Sequence, residues 1–245
     1  TQFGLNLESN GVDIGVRIET IAEAFEKFTD VVQSPKLVVQ SDNNEVRTFC
    51  VCPHGFVKIQ TSYGNLTVNG ESFSKESLTK SSNTNFAILV HVDFTHPFDD
   101  PIGYGNEIAR LTNMLGGRKV IVQTLYDLLR GQRSTEKRLE RNSIVQPTLT
   151  DVVPADLARA YPHAVMSGVL KMLELLMKIT PMNEHNVLLY GPEVKQYAQR
   201  VEIDRHGQTK MSGLYIVGDG SGWTRGIMQS SMMGIMSARN IIGGK

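Results

Sequence analysis

Apolar and polar residues alternate through residues 12–19 (VDIGVRIE), the two-residue period of a strand with one buried face. A short helical pattern follows over 21–28. Short β-type runs then recur at 36–40, 46–51, 56–60 and 66–69, separated by Asp42-Asn43-Asn44, Pro53-His54-Gly55 and Tyr63-Gly64-Asn65. Turn residues at that spacing predict an antiparallel meander. Residues 72–84, rich in Ser, Thr and Lys, read as a surface loop, and 85–94 (NFAILVHVDF) as a strong strand and a candidate for the sheet centre. Beyond Pro97 the period becomes helical over 104–115, stopping at Gly116-Gly117, and over 124–130 after a strand at 119–122. Helical segments are also predicted at 155–160 and 162–179. In the second of these, Val165, Val169, Met172, Leu173, Leu176 and Ile179 form one apolar face. Residues 187–190 return to strand, and 201–204 with 214–217 predict a closing hairpin or near-hairpin through His206-Gly207-Gln208.

The closing stretch from Gly213 to Asn240 organises this pattern. An apolar run, 214–217, suits a buried parallel strand and leads through Gly218, Gly220, Gly222 and Gly226 into a helix. Gly226, Ser230, Gly234 and Ala238 recur every four residues as a strip of small side chains, with Met228, Met232 and Met236 on another strip. The first N–H groups of such a helix have no internal partner, so the turn suits an anionic or strongly hydrogen-bonding ligand. A G-x-G-x-x-G nucleotide fingerprint fails here, because Trp223 and Arg225 stand where its last glycine belongs. Asp219, at the carboxyl end of the predicted strand, is placed to accept hydrogen bonds from ligand hydroxyls. The competing reading is a Met-rich helix buried for packing alone.

Gly213-Leu214-Tyr215, Gly218-Asp219-Gly220, Gly222 and Gly226-Ile227 resemble the closing motif of the uncharacterised bacterial FAD-utilising dehydrogenases, in the two-dinucleotide-binding-domain flavoprotein superfamily. Two further segments extend the resemblance. Asp13-Ile14-Gly15-Val16-Arg17 is similar to the strand by which those enzymes leave the FAD domain, and Phe49-Cys50-Val51-Cys52-Pro53-His54-Gly55 to a Phe-Cys-x-Cys-Pro-x-Gly segment of the inserted domain. The resemblance implies a mixed fold of the α+β or α/β class: a mainly antiparallel sheet with helices in an inserted substrate domain (1–205), and the closing strand and helix of an FAD-binding domain (206–245). It implies FAD as cofactor, contacted by Gly218, Asp219, Gly220, Gly222, Trp223, Thr224, Arg225, Gly226 and Ile227, with Asp219 on the ribityl chain. The helix start faces the pyrimidine end of the flavin.

On that resemblance the chain is a fragment of an FAD-dependent oxidoreductase, passing a hydride between an unidentified small-molecule substrate and flavin. Its N-terminal G-x-G-x-x-G half would be missing, and the fragment would tend to self-associate. The alternative is a non-catalytic binding or interaction domain that keeps the architecture without cofactor. Candidate catalytic residues are Cys52, His54 and Glu193. Gly191-Pro192-Glu193-Val194-Lys195 resembles the segment preceding re-entry into the FAD domain, although Gln196-Tyr197-Ala198-Gln199 departs from it. Arg17 reads either as a residue facing a substrate anion or, preferred here, as an exposed strand arginine.

Composition narrows these readings only slightly. Twenty-five basic and 25 acidic residues cancel in 245, which gives no bulk electrostatic reason for a nucleic-acid or membrane partner. No apolar run reaches the roughly 20 residues needed to span a bilayer, and no signal-peptide pattern opens the chain, so a soluble cytoplasmic protein is expected. The basic segment 130–141 reads as a solvated face, or as a dock for an anionic substrate, a nicotinamide dinucleotide or a protein. Cys50 and Cys52 are the only cysteines. Two apart on a strand, they share a face and read first as buried unreactive thiols, then as redox or substrate-contacting groups. No metal site is predicted, since nothing fixes His54, His91 or His96 beside them.

Overall fold

The computed structural model describes residues 3–73, 77–142 and 144–243. In chain order the elements are β1 (Leu7–Glu8), β2 (Val12–Ile21), α1 (Glu23–Thr29), β3 (Val38–Ser41), β4 (Asn44–Cys52), β5 (Phe56–Ser62), β6 (Asn65–Glu71) and β7 (Asn83–Val92). There follow α2 (Pro101–Leu115), β8 (Ile121–Thr124), α3 (Leu125–Leu129), α4 (Glu136–Asn142), β9 (Val153–Pro154), α5 (His163–Ile179), β10 (Val187–Lys195), β11 (Arg200–Val201) and α6 (Ile227–Ile241). They form two compact units, one made of 13–92 with 103–195, the other of 1–12, 93–102 and 196–245. The fold is mixed α+β with a mainly antiparallel sheet.

The larger unit is built on a seven-stranded sheet in the order β3-β4-β7-β2-β10-β8-β9. Its two faces differ in chemistry. On one, Val46 of β4 and Phe86 and Val90 of β7 meet helices: the Phe25 ring of α1 lies 4.5 Å from that of Phe86, and Gly168 lets α5 settle so closely that an added Cβ would stand 3.0 Å from both Val46 and Val90. The other face bears Asp13, Arg17 and Glu19 on β2 and Asn83, Asn85 and His91 on β7, and the β5–β6 hairpin lies over part of it. Val57 and Val68 of the hairpin join Val120, Val122, Val145, Leu188 and Tyr190 in a second apolar cluster. Alternation along β2 and β7 is therefore real, yet both faces are covered, and Asp13, Arg17 and Glu19 are all buried.

Two register shifts shape this covered polar face. Between Tyr190 and Glu193 the pairing of β10 with β2 slips, from Tyr190↔Arg17 to Glu193↔Gly15. Residues three apart on a regular strand point to opposite faces; the irregularity puts Tyr190 and Glu193 on the same one. A similar slip between Phe49 and Cys52 bends β4 against β7, with Cys50 in the left-handed region at φ +48°.

Several expectations are corrected. The four runs between residues 36 and 69 do not form a meander: β3–β4 joins the main sheet, β4 pairs with β7, and β5–β6 is a separate two-stranded sheet. The sheet centre is β2, with β7 beside it. The expected loop at 72–84 ends sooner, since β7 begins at Asn83; its residues 74–76 lie outside the described residues, as do Thr1 and Gln2. Residues 155–160 make only a single 3-10 turn, Leu157–Arg159, whose start Asp156 caps by accepting from Ala158 N.

In the smaller unit the expected buried strand at 214–217 is not formed. Leu214, Tyr215 and Ile216 are half-buried, Val217 is exposed, and the run makes one antiparallel bridge, Gln208↔Tyr215, flanked by Thr209 N→Leu214 O and Ile216 N→Gly207 O bonds. A parallel strand needs neighbours on its ladder, and among the described residues Gln208 is its only bridge partner. The closing hairpin is corrected likewise, because β11 pairs with β1 instead. The helix is present as α6, but Ile227, Met228, Met232, Ile235 and Met236 are exposed rather than packed. Among the described residues no helix is long and apolar enough to cross a membrane.

Candidate functional site

Within the smaller unit, the glycine turn folds around one carboxylate. Gly218 (φ +72°) and Gly222 (φ +77°) occupy left-handed backbone on either side of a 3-10 turn, Asp219–Ser221. Gly222 also lies against the chain at Gln199, where a Cβ would approach the Gln199 carbonyl oxygen to 2.5 Å. Asp219 Oδ1 accepts three hydrogen bonds, from Ser230 Oγ at 2.6 Å, Thr224 Oγ1 at 3.0 Å and Gly226 N at 3.2 Å. Donation from Ser230, then from the Gly226 amide and Thr224, holds this exposed carboxyl below its ordinary range. The carboxylate thus ties the turn to the first residues of α6, and Gly226 supplies no side-chain cap to the helix amides that follow.

The other predicted cofactor residues separate into two sets. Trp223 Nε1 donates to Val201 O at 2.7 Å beneath the Arg200 guanidinium, and the Arg225 guanidinium stacks 3.7 Å from the Tyr197 ring centroid. Both hold the turn to the 197–201 segment. Gly218 O accepts from Ser221 Oγ, a Cβ on Gly220 would meet nothing within 4 Å, and Ile227 is exposed.

In the larger unit, residues far apart in sequence meet around a buried guanidinium. Arg17 is fully buried, which corrects the expectation of an exposed strand arginine. Its Nη1 stands 3.4 Å from Glu193 Oε1, itself wholly shielded, and Lys195 Nζ lies 3.2 Å from the same oxygen. Arg17 Nε and Nη2 donate to Asn85 Oδ1 at 2.9 and 2.7 Å, and Nη2 also reaches Cys50 O at 2.6 Å and Cys52 Sγ at 3.3 Å. Removing each charge from water costs several kcal/mol, roughly, and is offset only by pairing and hydrogen bonding of this density. Burial acts against the charged guanidinium, but Glu193 and the two thiols outweigh it and hold the Arg17 pKa above its ordinary value. Glu193 Oε2 and Asn85 Nδ2 are buried without a hydrogen-bond partner among the described residues.

Cys50 and Cys52 bring their sulfurs to 3.8 Å. Cys50 is half-buried and Cys52 buried. Hydrogen bonding from Cys52, helped by the nearby Arg17 charge, lowers the Cys50 pKa to about 6, whereas that same bond and burial push Cys52 upward. His54 is not brought to this cluster. It occupies left-handed backbone (φ +50°), places Nδ1 3.0 Å from Ser81 O and Nε2 3.9 Å from Glu26 Oε1, and lines a cleft of ≈ 520 Å³ with Pro53, Ser72 and Phe73. Cys52 and Glu193 are thus brought together through Arg17, and His54 stands apart.

Next to this cluster, Glu19 accepts from Thr148 Oγ1 at 2.5 Å, Tyr190 Oη at 2.5 Å and Asn83 Nδ2 at 3.0 Å. In the basic segment 130–141, Arg130 pairs with Glu184 at 3.2 Å and stacks on Tyr126, and Arg138 reaches Asp127 at 3.4 Å. Among the described residues no cluster of three or more His, Cys, Asp or Glu side chains is arranged to hold a metal ion. Asn85, Lys195 and Gly70 were missed in the sequence. Gly70 carries a recoverable signal, a glycine inside a strand, and an added Cβ there would fall 1.7 Å from Arg17 Nη2.

An uncharacterised protein of Clostridium beijerinckii is 27% identical over 271 aligned residues, covering 97% of this chain and 47% of that protein. The chain thus spans about half the length of that relative. No solved structure matches. The family profile described as FAD-dependent protein, C-terminal domain-like, matches residues 12–196, close to the span of the larger unit. The chain, whose Arg17, Cys50, Cys52 and Glu193 all lie inside that match, belongs to the FAD-dependent protein C-terminal domain-like family.

Proposed function

We propose that the chain is the C-terminal part of an FAD-dependent oxidoreductase that exchanges a hydride between a small-molecule substrate and flavin. The observation that carries the reading is the Asp219 turn. Three donors converge on Oδ1 of an exposed carboxylate, and a 15-residue helix with no side-chain cap begins beyond it. This donor and acceptor set fits FAD: Asp219 would accept hydrogen bonds from the ribityl hydroxyls, and the first α6 amides would favour negative charge near them. Bound flavin supplies the redox chemistry. The chain's own residues bind and orient: Gly218, Gly220 and Gly222 keep the turn free of side chains, Trp223 and Arg225 anchor it, and Thr224 and Gly226 fix the carboxylate, with Ile227 opening the helix. The exposed apolar residues of α6 are the face proposed to meet the N-terminal part of the FAD-binding domain, in keeping with a relative about twice this length. In the larger unit, Arg17 with Glu193 and Cys52 is the proposed substrate-side cluster, and His54 belongs to the neighbouring cleft.

Titration with FAD, followed by quenching of flavin fluorescence, tests the reading. The chain is expected to bind, and Asp219→Ala to weaken binding about tenfold or more, the loss of about 1.4 kcal/mol. Failure of both this chain and a full-length polypeptide to bind flavin would overturn it in favour of a non-catalytic binding domain.

A further inference from the structure

We propose that Cys50 and Cys52 form a redox-active dithiol that reduces small-molecule disulfides, Cys50 acting as the attacking thiol and Cys52 as the resolving thiol. At the slip in β4, with Cys50 at φ +48°, their sulfurs lie 3.8 Å apart. Their exposures suit the two roles, since Cys50 is half-buried and within reach of a small molecule while Cys52 is buried beneath it. Arg17 supplies the charge. Its Nη2 lies 3.3 Å from Cys52 Sγ and donates to the Cys50 carbonyl at 2.6 Å, so the guanidinium stands beside both steps of an exchange.

The chemistry balances without a metal or flavin. The Cys50 thiolate attacks one sulfur of R–S–S–R, forming a Cys50–S–S–R mixed disulfide and expelling RS⁻. Once Cys50 no longer carries the charge, Cys52 loses the S–H proton it had donated to Cys50. That proton passes to the expelled thiolate, and Arg17 stabilises the new anion. Cys52 Sγ then attacks Cys50 Sγ, closing the Cys50–Cys52 bond at about 2.05 Å and releasing the second RS⁻. Two electrons move from the dithiol to the small disulfide. The lowered Cys50 pKa, about 6, keeps this thiol ionised at neutral pH.

The chain has two cysteines, so an intact-mass measurement reads the outcome directly. The reduced chain is treated with a small excess of oxidised glutathione at pH 7 and compared with the same chain unfolded in urea. The native chain is expected to lose two hydrogen masses and both titratable thiols with no lasting adduct, at least tenfold faster than the unfolded chain. Cys52→Ser should trap one glutathione on Cys50, and in Cys50→Ser the remaining thiol should react at least tenfold more slowly. Persistent adducts on the native wild type, a disulfide linking two copies, unreacted thiols, or closure no faster than in urea would each overturn the proposal. These wild-type outcomes decide the matter even where a variant fails to fold.

Discussion

Arg17 and Glu193 are separated by 176 residues in the chain yet face each other at 3.4 Å with both side chains wholly removed from water. Breaking such a pair from one side strands the other charge in the interior. Arg17→Ala and Glu193→Ala are each expected to destabilise the larger unit by about 3–5 kcal/mol, read by urea denaturation. Cost under about 1 kcal/mol in either variant would mean that the pair is solvated in solution.

Gly70 is the second support of that arrangement. A Cβ there would lie 1.7 Å from Arg17 Nη2 and 2.2 Å from Asn85 Oδ1, so one must shift. Gly70→Ala is expected to cost about 1–3 kcal/mol, read by urea denaturation. An unchanged midpoint would show the crowding to be absent.

The buried carboxylate of Glu19 gives an independent check of the same face. Tyr190→Phe removes its 2.5 Å hydroxyl donor and leaves the packing of the ring intact. A loss of roughly 1.5–3 kcal/mol is expected, the range for hydrogen bonds to charged groups. Tyr190→Phe combined with Thr148→Val should depart from the sum by about 0.5–3 kcal/mol, since both donors serve one carboxylate.

The thiol pair predicts a pH dependence of defined sign. In the folded chain Cys50 titrates near 6, lowered first by the Cys52 hydrogen bond; in the unfolded chain a cysteine titrates at about 8.5. Between those values the unfolded state binds the extra proton, so this contribution to stability rises with pH across the window and is lost as pH falls through about 6. Thermal midpoints of wild type and Cys50→Ser should therefore diverge from pH 6 to pH 8. Parallel curves would rule out a thiolate at this position. Iodoacetamide alkylation of Cys50 should lose half its rate near pH 6.

For Asp219 the expected signature is local. Its lowered carboxyl pKa stems from Ser230, Gly226 and Thr224, which fasten the start of α6. Asp219→Asn should raise hydrogen exchange of the Gly226 and Ser230 amides while leaving the β2 amides protected. Equal protection in wild type and variant would remove the carboxylate from its role in the turn.

Much of this was readable in the chain because local chemistry dominates there. α5 declared itself by its apolar face, β2 by alternation, and the 218–227 turn by glycines that the backbone uses at positive φ. What escaped reading is non-local. Arg17 looked exposed because alternation reports that one face is apolar, whereas covering of the other face depends on the β5–β6 hairpin. Glu193 could not be assigned to a face, since the slip after Tyr190 resets the two-residue period. The strand expected at 214–217 has the right residues and lacks ladder partners among the described residues, which no local pattern reports.

The order β7-β2-β10 also has a consequence for biosynthesis. Strand β2 is made well before its neighbour β10: the Thr20 hydroxyl donates to Asn186 O across 166 residues. Long-range pairing of this kind carries a large closure entropy and slows folding. A nascent chain stopped before Val187 holds β2 with one ladder edge open and Arg17 without its counter-charge Glu193, a state prone to aggregate. Completion of the larger unit is thus a late event on the ribosome, and shortening the chain from that side yields a sticky intermediate in place of a smaller domain.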